Sequence, residues 1–250
     1  MATTLKVEAH LDSHYVLSLK GEETRQIETK VLVDAAGLGG IFRGANDKVA
    51  SRSFIGVGTV FKPKHISTPN AISTDSISMH IMKSGYFGTC TLEDGSINVA
   101  AAVSAKGFKL PLESVVRESM HIPLSQSLEW RGTKHLTRLG TKALPRYFAI
   151  GDAAGYVEPF TGEGIKWAVL GGGKVIPAIL KTLQGDEREG MILWKTEYAN
   201  TIQRDKNFCV GLRYLLRTPI GVVQPLMMHA PYLTSKCLSL ISRGSLPWVL

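Results

Sequence analysis

The chain has 250 residues, with 29 Lys plus Arg against 21 Asp plus Glu, a formal charge of +8, and 44% apolar and 20% charged residues. That apolar share excludes disorder, ordinary Gly and Pro usage excludes collagen-like and low-complexity chains, and the length suffices for a core without a disulfide or metal staple. The positive charge is spread out rather than gathered in a basic run with aromatics, which argues against a nucleic-acid groove and fits attraction to an anionic cofactor or acidic lipid.

In chain order, residues 6–12 (KVEAHLD) and 15–21 (YVLSLKG) alternate apolar with polar side chains, and a Gly21-Glu22-Glu23 turn follows. Residues 26–34 (QIETKVLVD) end in a continuous apolar run, so the pattern predicts an antiparallel hairpin feeding a strand at 31–33 buried on both faces. Asp34-Ala35-Ala36-Gly37-Leu38-Gly39-Gly40 comes next, and small residues directly after a buried strand admit a close backbone or a ligand phosphate. Residues 53–61, 76–83, 85–92 and 96–103 are β-rich, with a hairpin turn at Glu93-Asp94-Gly95, and residues 111–120 read as a short helix. An antiparallel sheet crossed by a helix is expected there, suited to a substrate wall.

From Tyr147 the pattern becomes a short buried strand, a small-residue loop and an apolar helix. Ile165, Ala168, Val169 and Gly172 fall on one helical face, and Pro177 kinks or restarts the helix. Residues 186–250 read as helical. Their uncharged stretch at 218–235 contains three prolines, Gln224 and His229, which argues against a spanning helix and leaves peripheral membrane contact open. The expected fold is mixed α/β: residues 49–134 as an antiparallel substrate sheet inserted between two segments, 1–48 and 135–185, of another domain, and 186–250 as C-terminal helices.

The residues that carry chemistry lie in Gly151-Asp152-Ala153-Ala154-Gly155 and the following Glu158-Pro159-Phe160-Thr161-Gly162-Glu163-Gly164. A carboxylate at the carboxyl end of a buried strand can accept hydrogen bonds from sugar hydroxyls. A glycine-rich helix start offers bare N–H groups and a partial positive charge to a ligand that becomes negative, as a reduced flavin does. A purely structural strand, turn and helix is the alternative.

The longer string GDAAGYVEPFTGEGIKWA closely resembles the second flavin-binding motif of FAD-dependent oxidoreductases of the hydroxybenzoate-hydroxylase-like superfamily, especially the geranylgeranyl reductase and electron-transfer-flavoprotein dehydrogenase branch. The resemblance implies that Gly151 and Asp152 meet the FAD hydroxyls, Pro159 packs near the ring, and Gly162, Glu163 and Gly164 supply backbone contacts at its pyrimidine edge. It also leaves Glu163 as a proton donor or acceptor, against a solvated or helix-capping glutamate, which is favoured. A second segment, residues 31–43, is similar to the family pattern V-V-x-A-D-G-x-x-S-x-x-R. Gly37 and Arg43 match, whereas Ala36 stands at its Asp and Gly40 at its Ser, and a structural β-turn is the alternative. Gly85 and Tyr86 resemble the start of the branch's G-Y-x-W-x-F-P signature, which implies Tyr86 as the substrate-side residue; a core tyrosine is the alternative.

Other constellations carry less. His10 and His14 lie in an alternating segment, so no metal pair is expected. Gly171-Gly172-Gly173-Lys174 lacks P-loop spacing, and no GxSxG elbow is present. Cys90, Cys209 and Cys237 form no CxxC pair, and the first residues lack a signal-peptide core, so a cytoplasmic setting is expected.

The sequence contains no G-x-G-x-x-G, the element that holds the FAD pyrophosphate in that family, so about a hundred family residues have no counterpart. The reading expects these 250 residues alone to bind FAD weakly or not at all, to expose an apolar edge, and to leave the strand before Asp152 short of a neighbour. A misassigned start, a separate chain supplying the βαβ unit, or a decayed pseudoenzyme would each produce this sequence. The expected function is an FAD-dependent oxidoreductase, with NAD(P)H as a candidate reductant and a small apolar or aromatic substrate. An aromatic monooxygenase and a non-catalytic, partner-binding remnant are the alternatives. No side chain is assigned a catalytic role, because the cofactor carries the chemistry.

Overall fold

The computed structural model describes residues 4–10, 13–20, 24–40, 48–49, 53–62, 77–82, 84–104, 111–120, 122, 127–157 and 162–216. The elements run β1 (Thr4–His10), β2 (Tyr15–Lys20), β3 (Thr24–Thr29), β4 (Leu32–Asp34), β5 (Lys48–Val49), β6 (Ile55–Phe61), β7 (Ser78–Met82), β8 (Gly85–Thr91) and β9 (Ile97–Val103). They continue with α1 (Pro111–Ser119), β10 (Arg131–His135), β11 (Arg138–Leu139), β12 (Ala143–Leu144), β13 (Tyr147–Ala149), β14 (Gly155–Tyr156), α2 (Gly164–Lys174), α3 (Ile176–Leu183), α4 (Glu187–Tyr198) and α5 (Arg204–Leu216). The class is mixed α/β, as the sequence predicts.

The largest sheet is antiparallel with strand order β10-β6-β9-β8-β7. Alternation decides which face is buried: Val57, Phe61, Phe87, Val99 and Val103 point one way and meet Leu112, Val116 and Met120 at α1. The hairpin between β8 and β9 turns at Gly95 with a φ of 76°, and Asp94 accepts hydrogen bonds from the Ser96 N–H and hydroxyl at 2.9 and 2.8 Å. This is the turn chemistry predicted for Glu93-Asp94-Gly95.

The site is positioned by a smaller sheet of order β12-β13-β4. β13 runs parallel to β4, pairing Tyr147 with Leu32 and Ala149 with Asp34, and antiparallel to β12. Two expectations need correction here. The strand preceding Asp152 is not short of a neighbour, because β12 folds back through Pro145-Arg146 and pairs with it on one side while β4 pairs on the other. β4 is buried on one face only: Leu32 and Asp34 are inside while Val33 is exposed, since three residues at a sheet edge place alternate side chains on opposite faces.

Around this sheet the second core packs Tyr15 and Leu17 of β2, all of β13, Trp167 of α2, Val175, Ala178 of α3, Trp194 and Tyr198 of α4, and Ile202. The Trp194 indole N–H donates to the carbonyls of Lys142 and Ala149 at 3.1 and 3.2 Å, pinning α4 to the open end of the β12–β13 hairpin. α2 ends at Lys174 and α3 restarts with Pro177 in its first turn, where the missing proline N–H leaves no unpaired donor. α4 passes into α5 through a π-helical turn at Ala199–Gln203. Among the described residues no helix is long and apolar enough to cross a membrane, and the stretch at 218–235 lies outside them.

Candidate functional site

β4 and β13 end side by side, and the chain leaves each through a tight glycine turn. After β4, Gly37 (φ 62°) opens a 3-10 turn at Gly37–Gly39. After β13, Gly151 (φ 56°) opens another at Gly151–Ala154, closed by Gly155 (φ 117°), whose N–H donates to the Asp152 carbonyl. Left-handed backbone at these points requires glycine. Gly140 brings a third segment against the second turn: a Cβ there would lie 2.5 Å from the Ala153 carbonyl oxygen and 2.6 Å from the Gly155 nitrogen.

An open cleft of about 610 Å³ lies over the carboxyl ends of the parallel pair. Its walls are Ala35 and Gly37 after β4, Ile150, Gly151 and Asp152 after β13, Tyr156, and Gly162, Gly164, Ile165, Ala168 and Val169 at the start of α2. That is where α/β sheets place ligands, and the volume suits a ring-sized one. Nothing lies within 4 Å of where a Cβ would sit on Gly37, Gly162 or Gly164, so their backbone is bare to the cleft. The first N–H groups of α2, eleven residues long, are not capped by the side chain at Glu163.

The α2 face expected from the sequence exists, but Ile165 and Val169 are 81% and 61% exposed and line this cleft, while Trp167 and Gly171 fill the core. The apolar stripe therefore serves the cavity. Glu163 stands at the N-cap position of α2, as one reading expects, but its side chain caps no N–H and is instead ion-paired with Lys166, which is also 3.3 Å from Asp205. These carboxylates hold the Lys166 pKa above its usual range against the opposing effect of burial.

Asp152 is half-buried at the cleft floor. Burial pushes its carboxyl pKa up, and the charge of Lys206 pulls it back down. Lys206, on α5, is 3% exposed. Its Nζ donates to the Gly155 carbonyl and, at 2.8 Å, to the Tyr198 hydroxyl, and it lies 5.3 and 5.4 Å from the ring centres of Trp167 and Tyr198. Burial drives its pKa down to about 8. Lys142, also depressed by burial, donates to the Gly140 carbonyl at 3.0 Å.

Of the residues singled out in the sequence, Gly37, Gly151, Asp152, Gly162 and Gly164 come together around the cleft, and Glu163 sits at its rim beside Gly162 and Gly164. Arg43 and Pro159 lie outside the described residues. Asp34 is fully buried and occupied, accepting from the Ala36 N–H and the Tyr147 hydroxyl, each at 2.9 Å. Tyr86 is 6% exposed and packs with Ala102 and Leu136 against Leu38, Phe54 and Tyr156, which fits the core-tyrosine alternative. Among the described residues no group of three His, Cys, Asp or Glu forms a metal site.

Sequence reasoning passed over Gly140 and Lys206. A signal for the second existed: Ile202, Lys206 and Cys209 share one helical stripe whose other members are buried, so a lysine there had to be buried too.

No family model and no curated protein matches the chain by sequence. Solved structures do match its fold. The flavin-dependent brominase Bmp2 is 15% identical with a TM-score of 0.71, the match covering 95% of this chain and 64% of that one. The p-nitrophenol 4-monooxygenase PnpA from Pseudomonas putida DLL-E4 is 15% identical with a TM-score of 0.66, covering 98% and 67%. The flavin-dependent halogenase CmlS is 20% identical with a TM-score of 0.62, covering 82% of this chain and 41% of that one. The chain thus has the fold of flavin-dependent enzymes and spans about two fifths to two thirds of their length.

Proposed function

We propose that this chain is part of an FAD-dependent oxidoreductase acting on a small apolar molecule, with the flavin in the cleft above Asp152. The observation that carries the reading is the convergence, at the carboxyl ends of β4 and β13, of a half-buried carboxylate with the bare backbone of Gly162 and Gly164 at a helix start. The donor set fits the cofactor. Asp152 is an acceptor for ribityl or ribose hydroxyls, the α2 N-terminus favours a ring edge that becomes negative, and exposed Ile165 and Val169 offer an apolar surface to a ring system. Bound there, FAD would supply the two-electron chemistry. The protein's own groups bind and orient it.

The string from Gly151 to Gly164 supports the geranylgeranyl reductase-like branch, with reduction of an apolar double bond at the expense of NAD(P)H. A second reading, oxygen-dependent hydroxylation or halogenation, is favoured by the fold matches to a monooxygenase and to halogenases. Oxygen consumption coupled to NAD(P)H oxidation separates the two.

The binding test is a titration of FAD fluorescence with the native chain and Asp152→Ala. Native protein should quench FAD saturably but weakly, since it contains no G-x-G-x-x-G to hold the pyrophosphate, and the variant should bind at least about tenfold more weakly still, the loss expected for a charged hydrogen bond. Equal affinity, or no saturable binding by the native chain, overturns the assignment.

A further inference from the structure

Lys206 has no place in the cofactor reading, yet it is a buried cation one carbonyl behind the proposed FAD-binding residue. Its Nζ holds the Gly155 carbonyl, and Gly155 in turn donates its N–H to the Asp152 carbonyl, so the side chain grips the turn that carries Asp152. Two further residues hold the ammonium. Tyr198 of α4 accepts a second Nζ hydrogen bond, and the rings of Trp167 on α2 and Tyr198 flank the ammonium. A methionine would fill the same space without the desolvation that an ammonium suffers, so packing alone does not explain a lysine here.

We propose that Lys206 is a positioning residue for the cofactor turn: its ammonium anchors the Gly155 carbonyl and sets a positive charge near the half-buried Asp152 that meets the ligand in the cleft. The FAD part of this inference rests on the function proposed above; the coupling of Lys206 to Asp152 does not.

Charged and titratable groups reach Lys206 from each neighbouring element. Asp152 from the turn and Cys209 from α5 itself favour the ammonium, whereas Lys142 from the segment before β12 disfavours it; Tyr198 of α4 is its hydroxyl partner. With a pKa of about 8, Lys206 loses its proton within a range the folded protein can be taken through. Above it, the Gly155 carbonyl keeps only a neutral amine donor, and Asp152 loses a charge that opposes its desolvation. Ligand affinity should therefore fall with rising pH, through the weaker hold on Gly155 and the turn that carries Asp152.

Three measurements test this. In flavin-free protein, the Asp152 carboxyl is titrated by carbon NMR, assigned with Asp152→Asn, in the native chain and in Lys206→Met. The variant should raise the Asp152 midpoint by at least about one pH unit, a tenfold change in proton affinity, and speed amide exchange at Gly155 about tenfold. An unmoved midpoint overturns the proposal. Should Lys206→Met fail to fold, the native chain decides: the Asp152 carboxyl signal should show a step at the same midpoint as the Lys206 side-chain carbon signals, and its absence overturns the coupling. Finally, the Kd for FAD should rise about tenfold between about pH 7 and about pH 9.5 in native protein and stay flat in the variant. A displaced Asp152 midpoint with no FAD binding to any form supports the Lys206 role and overturns the cofactor assignment; equal pH profiles for native and variant overturn the positioning role.

Discussion

The five-stranded sheet with α1 and the turn that carries Asp152 are built on opposite principles. In the sheet and α1, Phe87, Val99, Val103 and Val116 are fully buried, and β6, β7, β8 and β9 pair in unbroken register. Around Asp152, Gly37, Gly40, Gly151, Gly155 and Gly162 hold positive φ, Gly140 is pressed against the turn, and Asp34, Lys206 and the half-buried Asp152 place charge-bearing groups in or beside the core. One region gains stability from nearly every buried group, whereas the other sets desolvation and backbone restriction against it. Such local cost concentrates where a protein binds or reacts, which is why the second region, and not the larger sheet, is read as the site.

The largest expected effect lies in the sheet. Phe87, stacked on His80 at 4.5 Å between ring centres, is wholly inside; Phe87→Ala should cost about 4 kcal/mol through lost burial and the cavity left behind. Urea denaturation measures it, and FAD affinity of the remaining folded molecules should be unchanged. Loss of affinity in parallel with stability would erase the contrast between the two regions. Next comes Gly140→Ala, whose new Cβ would meet only backbone atoms, 2.5 to 2.7 Å away in residues 153–155. Backbone cannot rotate aside, so the turn must shift; about 3 kcal/mol of stability should be lost, and here FAD affinity should fall with it. A crystal structure of the variant with Asp152 unmoved would show that the turn tolerates what the geometry forbids.

The sequence makes legible what short-range chemistry determines. The Gly95 hairpin, the α2 start after Gly162 and the carboxylate after β13 are each specified by a few adjacent residues. Less legible is whatever depends on partners far along the chain. β12, β13 and β4 are two or three residues long, too short for periodicity to fix pairing, and their order is set by Trp194 and the packing of β2. Whether Ile165 and Val169 face a core or a cavity depends on what α2 packs against, since apolar spacing describes both. Tyr86 reads as a ligand residue from its motif but is enclosed by Leu38 and Tyr156, which arrive from other segments. Lys206 meets Gly155 across 51 residues, a separation no local pattern reports.

The smallest effect separates the two regions by pH. Lys206 has a folded pKa of about 8 against an unfolded value of 10.5, so between these values the unfolded chain binds a proton that the folded chain has released. Stability from this group therefore rises with pH in that interval, opposite to a lysine stabilised by an ion pair such as Lys166, whose contribution is lost only at higher pH. From about pH 8 to about pH 9.5 the native chain should gain roughly 2 kcal/mol relative to Lys206→Met, read as the difference between their urea midpoints. Above pH 10 the buried hydroxyls of Tyr15, Tyr147 and Tyr198, whose pKa values burial raises, act the other way and favour unfolding. The informative window thus closes there. Within it the two regions part: the folded chain as a whole becomes more stable as Lys206 loses its proton, whereas the Asp152 turn, on the proposal above, is held less firmly and binds its ligand less well. A native chain whose stability advantage over Lys206→Met stayed level across that window would mean that Lys206 keeps its charge, and that the turn is held by an ion the solvent can reach.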